Sequence, residues 1–184
     1  GRYKKMVDTL HFAFIDEASV INLNNTHEPE NVKRLLVESM GINSEGLLTE
    51  EQFEVAIDYY FYAYAFCKES GFSTLKTSTF LSIAKIIFDS DCDSQVVTMK
   101  SSFEAFKELV FKHSVERSPH ATGIFDIDDV TRIVEYMLNS YFRHFSLYRY
   151  IFTRKLQVCF VQTPPHCHDV PKSIPPLSQA LPQN

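Results

Sequence analysis

Three aspartates at alternate positions, Asp89, Asp91 and Asp93, followed by the apolar Val96, imitate the first half of an EF-hand calcium loop. Such a loop needs a glycine at its sixth position for a sharp turn and a glutamate at its twelfth for bidentate closure. Here Ser94 and Lys100 hold those positions, and a lysine ammonium opposes the cation. The triplet therefore reads as an acidic loop capping a helix from Gln95, with a degenerate EF-hand-like calcium sensor as the rival. Gly46-Leu47-Leu48-Thr49 and Gly123-Ile124-Phe125-Asp126 echo the second half of such loops. Gln52 and Asp129 stand in their closing positions, and ordinary helix starts account for both.

Cys159, His166, Cys167 and His168 are zinc-ligand types, but neighbours in a proline-flanked tail converge poorly on one tetrahedral ion. With glycines only at 1, 41, 46, 71 and 123, no glycine-rich phosphate loop is possible. GxSxG and HExxH are absent, and His113 and His144 read as packing or surface residues rather than bases. The expectation is a non-enzyme without cofactor or metal.

The stretch from Ile127 to Lys155 is the remaining candidate. Val134, Leu138, Tyr141, Phe145, Tyr148 and Phe152 follow at alternating steps of four and three, while Arg132, Arg143 and Arg154 recur every eleven residues. Both spacings keep to one face of a helix, so one long basic aromatic helix, or two stacked ones, is predicted. No acidic side chain falls between Tyr136 and His168. An inward aromatic stripe leaves the basic side outward, and the expected partner-binding residues are Arg132, Arg143, Arg149, Arg154, Lys155, Tyr148 and Tyr150. Solvated arginines above an ordinary core are the plain alternative. An acidic partner, whether a neighbouring subunit, calmodulin or a microtubule's acidic tubulin tail, is the functional one.

The elements that position this stretch announce themselves by their ends. Pro29 opens a helix through Leu35, Leu36 and Val37 to Gly41, and Thr49 with Gln52 makes a capping box for a helix to Gly71. Ser73 caps a helix to about Phe88, another runs from about Gln95 to His113, and Asp126 caps the basic one. The Thr49 helix is apolar on every face and is expected at the centre. Only Leu156 to Val161 has strand-like composition. The class is all-α: a single compact bundle of about five to six helices, with a long C-terminal basic aromatic helix. Residues 1–25 form a partly helical N-terminal segment, 26–160 the helical domain and 161–184 a tail. Six of the eight prolines fall in that tail, which is expected to be extended.

A chain of 184 residues sustains one core, burying roughly two-thirds of its unfolded surface. Its net charge of −5 is uneven: residues 1–135 carry 22 acids against 13 lysines and arginines, and residues 136–184 carry one against five. An acidic body argues against a nucleic-acid binder, which needs a broad basic surface. The lack of an apolar run near 20 residues argues against a membrane protein, and four cysteines without CxxC fit a reduced, intracellular, soluble protein.

Two blocks carry a family resemblance. Tyr60-Phe61-Tyr62-Ala63-Tyr64-Ala65-Phe66-Cys67-Lys68-Glu69-Ser70-Gly71-Phe72-Ser73 is the first. Asn139-Ser140-Tyr141-Phe142-Arg143-His144-Phe145-Ser146-Leu147-Tyr148-Arg149-Tyr150-Ile151-Phe152-Thr153 is the second and more specific. Together with Phe106 to Phe111 and Thr122 to Tyr136, they resemble the cilia- and flagella-associated protein 119 family, also called coiled-coil domain-containing protein 189, over roughly residues 26–160. The resemblance implies a structural axonemal protein of the cilium or flagellum, in the cytoplasm and cytoskeleton. It further implies a place in a projection of the central-pair microtubules, beside a large scaffold, small subunits and calmodulin, in support of ciliary and sperm motility. Family members tend to continue into a coiled coil, whereas Pro164 to Asn184 contains no heptads.

Overall fold

The computed structural model describes residues 10–42, 48–93, 96–115 and 123–152. Its helices begin and end on local chemistry. α1 (Glu17–Asn25) is capped by Asp16, whose carboxylate accepts from the Ser19 amide. α2 (Pro29–Met40) carries proline in its first turn and stops at Gly41, in the left-handed region at φ 62°. α3 (Glu50–Glu69) opens with the expected reciprocal box: the Gln52 amide donates to Thr49 Oγ1 at 3.3 Å, and the Thr49 amide to Gln52 Oε1 at 3.1 Å.

The end of α3 requires its glycine. Gly71 sits at φ 67°, the Phe72 amide reaches the Cys67 carbonyl at 3.0 Å and the Gly71 amide the Lys68 carbonyl at 3.2 Å, a Schellman closure. A Cβ at Gly71 meets nothing within 4 Å, so alanine there brings backbone strain alone. Gly71→Ala is expected to cost about 1 kcal/mol, with Gly71→Asn closer to wild type. Urea titration checks this, and equal losses for both variants would show that strain at φ is not the cause.

The chain continues through α4 (Thr74–Asp93), α5 (Met99–Lys112), α6 (Ile127–Asn139), a 3₁₀ turn (Phe142–His144) and α7 (Phe145–Phe152). Among the described residues there is no strand, no helix is long and apolar enough to cross a membrane, and all lie in one compact unit. The all-α bundle expected from the sequence is what forms. The tail, and the strand-like run Leu156 to Val161, lie outside the described residues.

The centre of the bundle is α4 rather than the Thr49 helix. α4 packs against α1, α3, α5 and α7, and every side chain from Thr77 to Ala84 is buried. Its serines and threonines conceal this in the sequence. Thr79 Oγ1 donates to the Leu75 carbonyl and Ser82 Oγ to the Ser78 carbonyl, both at 2.8 Å, while Ser78 Oγ donates to the Ile15 carbonyl at 2.9 Å. Hydroxyls satisfied on backbone can be buried without the usual polar penalty, and their small size admits neighbours on every side. α3 buries Tyr59, Tyr60, Ala63, Tyr64 and Cys67, but turns Tyr62 to solvent.

Two further expectations change. The Asp89, Asp91, Asp93 triplet is not a loop: it forms the last turn of α4, and the next helix starts later, at Met99, on a Thr98 capping box. Of the two arrangements open for the basic aromatic stretch, the chain takes two helices rather than one long one. Ser140 ends α6, its hydroxyl donating back to the Tyr136 carbonyl at 2.7 Å, and the break lets the consecutive rings of Tyr141 and Phe142 both turn inward.

Candidate docking surface

α7 is pinned from within. The ring of Tyr59 lies 4.8 Å from Phe88, 5.4 Å from Tyr141 and 5.8 Å from Tyr148, and Phe88 lies 4.9 Å from Phe152. Such offset and edge-to-face pairs add to plain area burial. Gln52 Nε2, part of the α3 capping box, also donates to the Ile151 carbonyl near the end of α7 at 2.7 Å. One residue thus starts α3 and ties it to α7.

The polar counterpart of this cluster is Asp91. Its buried carboxylate accepts from Ser102 Oγ at 2.5 Å and from the Tyr141 hydroxyl at 2.8 Å, and its backbone carbonyl accepts from the Arg149 guanidinium. Desolvation raises the Asp91 pKa, against the two hydroxyl donors and Arg149, which lower it. Burial likewise raises Tyr141 and Tyr148 and pushes the Cys92 thiol up to about 12. Of the triplet that imitated a calcium loop, Asp91 is a helix-borne anchor joining α4, α5 and α7, while Asp89 pairs with Lys85 on its own helix. Among the described residues no cluster of three or more His, Cys, Asp or Glu is placed to hold a metal, and Cys159, His166, Cys167 and His168 lie outside them.

The expected partner-binding residues separate into three groups. Arg132 and Arg149 do not present a free basic face. Arg132 donates to buried Asp129 at 2.7 Å and to the Ser70 carbonyl at 3.0 Å, and lies over the Phe72 ring, stapling α6 to the end of α3. Lys76 completes that anchor with Asp129 and Asp126. Arg149 turns inward to Asp91, and Tyr148 belongs to the aromatic cluster. Arg143 and Tyr150 do face outward, and Arg154 and Lys155 lie outside the described residues.

His144 and Ser146 are exposed on this segment, and so are Arg143, Leu147 and Tyr150, with Leu147 57% and Tyr150 67% exposed. Their four-then-three spacing places them along one side. Periodicity pointed to Arg143 and Tyr150. Leu147 was missed because an apolar residue beside an aromatic stripe reads as core. Upstream, Val134 and Leu138 leave the inward stripe: Val134 is half-buried and Leu138 exposed, while Ile133 and Met137 fill the core. Residues 62–160 match a family model described as flagellar C1a complex subunit C1a-32.

Proposed function

Since the chain belongs to the flagellar C1a complex subunit C1a-32 family, we propose that it is a non-enzymatic structural subunit that docks through the outer side of α7. Family membership places it with the axonemal central apparatus of the cilium or flagellum. The finer placement, in the cilia- and flagella-associated protein 119 branch and in support of motility, is part of the proposal. The observation that carries the docking face is the division of labour on α7. Phe145, Tyr148, Phe152 and Arg149 of α7, with Tyr141 ahead of it, pack toward the bundle, while Arg143 in the preceding 3₁₀ turn and Leu147 and Tyr150 on α7 are exposed. Rigid presentation of an arginine beside apolar and aromatic groups suits an acidic subunit surface, because little side-chain order is lost on contact.

Calmodulin is a less economical occupant. It grips the apolar face of a basic amphipathic helix, and that face of α7 already lies in the core. Pull-down from detergent-extracted axonemes, in calcium and in chelator, tests both readings. Arg143→Glu with Leu147→Ala is expected to reduce recovery of central-apparatus subunits by roughly tenfold with the melting temperature nearly unchanged. Arg149→Ala is expected to lower the melting temperature instead. Calcium-dependent recovery that survives the double substitution would overturn the α7 reading, as would full recovery under all conditions.

A further inference from the structure

A second outward surface lies between α5 and α6. A cleft of about 860 Å³ is lined by Val110, Phe111, Val115, Ile127, Val130 and Val134, and its charged lining is Asp126, Asp128 and Lys107, the last paired with Glu104. Phe111 is 59% and Ile127 85% exposed. Ile127, Val130, Thr131 and Val134 recur at helical spacing, so the α6 wall is a ridge of about two turns, roughly 10 Å long. Scattered exposed apolar residues are ordinary, but a continuous ridge facing a second apolar wall is the geometry of a helix-binding groove.

We propose that this cleft receives one amphipathic helix from a neighbouring protein subunit, with lysines or arginines along one flank. The charge follows from the helical wheel. Asp128 and Glu135 lie about 80–100° round α6 from the ridge, and both are exposed without an ion pair among the described residues. A helix seated in the cleft passes its flank over that acidic edge. A second copy of this chain is disfavoured, since α6 in its partner's cleft would bring Asp128 and Glu135 toward the same acids. The intervening linker, residues 116–122, contains no Val, Leu, Ile, Met, Phe or Tyr with which to fill an apolar cleft. The inference rests on the complex-subunit reading but not on the α7 face.

The test places a photoreactive benzoylphenylalanine at Ile127 in the full chain incorporated into C1a complex, with Tyr62 as a control position, and maps the crosslinked peptide. The expected product at Ile127 is a segment of another subunit with apolar residues at i, i+3 or i+4 and i+7 and basic residues on one flank. Asp128→Lys with Glu135→Lys is expected to reduce that product roughly tenfold with only a small fall in melting temperature, from a cation in the first turn of α6, while Arg143→Glu leaves its yield per incorporated chain unaltered. Crosslinking to this chain's own residues, to a second copy or to a segment without basic residues would overturn the proposal, as would indifference to the charge reversal. Failure to incorporate at all would instead count against the complex-subunit reading.

Discussion

Replacing Asp91 by alanine is expected to destabilise the chain by about 3 kcal/mol, lowering its melting temperature by roughly 10 °C. Alanine removes the shared acceptor of two buried hydroxyls, Ser102 Oγ and the Tyr141 phenol, and leaves both without that partner. An unsatisfied buried donor costs more than the net value of the bond it lost. Asp91→Asn is expected to cost less than about 1 kcal/mol, because both donors converge on Oδ2 and an amide oxygen can replace it. Tyr141→Phe, which removes one donor and no acceptor, should fall between the two. Thermal melts of the three variants check the ordering, and an asparagine variant as damaged as alanine would show that the charge matters more than the acceptor.

The pH dependence separates these causes further. Burial raises the folded-state pKa of Asp91 above its unfolded value. In the window between the two values the folded chain binds more protons, so this group's contribution to stability increases as pH falls and decreases as pH rises through the folded pKa. Asp91→Asn cannot titrate and should flatten that part of the stability curve. Asp16 and Asp126 work in the opposite direction. The Ser19 hydrogen bond lowers the first, and the Asp129 backbone lowers the second; their contributions are present above the unfolded value and lost as pH falls through the folded one.

Asp91 also marks where the sequence became hard to read. Helix starts were legible because a cap involves residues three apart: Thr49 with Gln52 forms the box expected of it, and Asp126, expected as a cap, forms one with Asp129. The role of Asp91 depends on partners 11 and 50 positions away, which no local pattern exposes. Serine and threonine in α4 gave the same difficulty, since their burial depends on hydroxyls turning to nearby carbonyls. The arginine stripe was half legible. Its spacing predicted outward positions, but Arg132 and the neighbouring Arg149 find Asp129 and Asp91 on the bundle itself, leaving Arg143 among the described residues. Periodicity reports direction from the helix axis; it does not report which groups neighbouring helices have placed within reach.

The second large effect is expected at His113. Its ring is buried, and its Nε2 accepts from the Leu10 amide at 3.2 Å while Nδ1 meets the Leu109 carbonyl at 2.8 Å. That pairing fixes the neutral tautomer with the proton on Nδ1. The His113 carbonyl also accepts from the Ile124 and Phe125 amides at 2.7 and 3.1 Å, so this residue joins the N-terminal stretch, the end of α5 and the approach to α6. His113→Ala is expected to cost about 3 kcal/mol by leaving a cavity and an unpaired Leu10 amide. Burial lowers the ring's pKa below 6.5, the Leu109 carbonyl opposes this, and His11 and Lys112 add to the lowering. The stabilising contribution is therefore complete above about 6.5 and lost as pH falls toward the folded value, because the unfolded chain binds the proton first. Denaturant titrations between pH 7.5 and 5 should show wild type losing stability where the alanine variant is flatter. Parallel curves would mean that the ring accepts a second proton without releasing Leu10, and the latch would then be a packing contact rather than a hydrogen-bonded one.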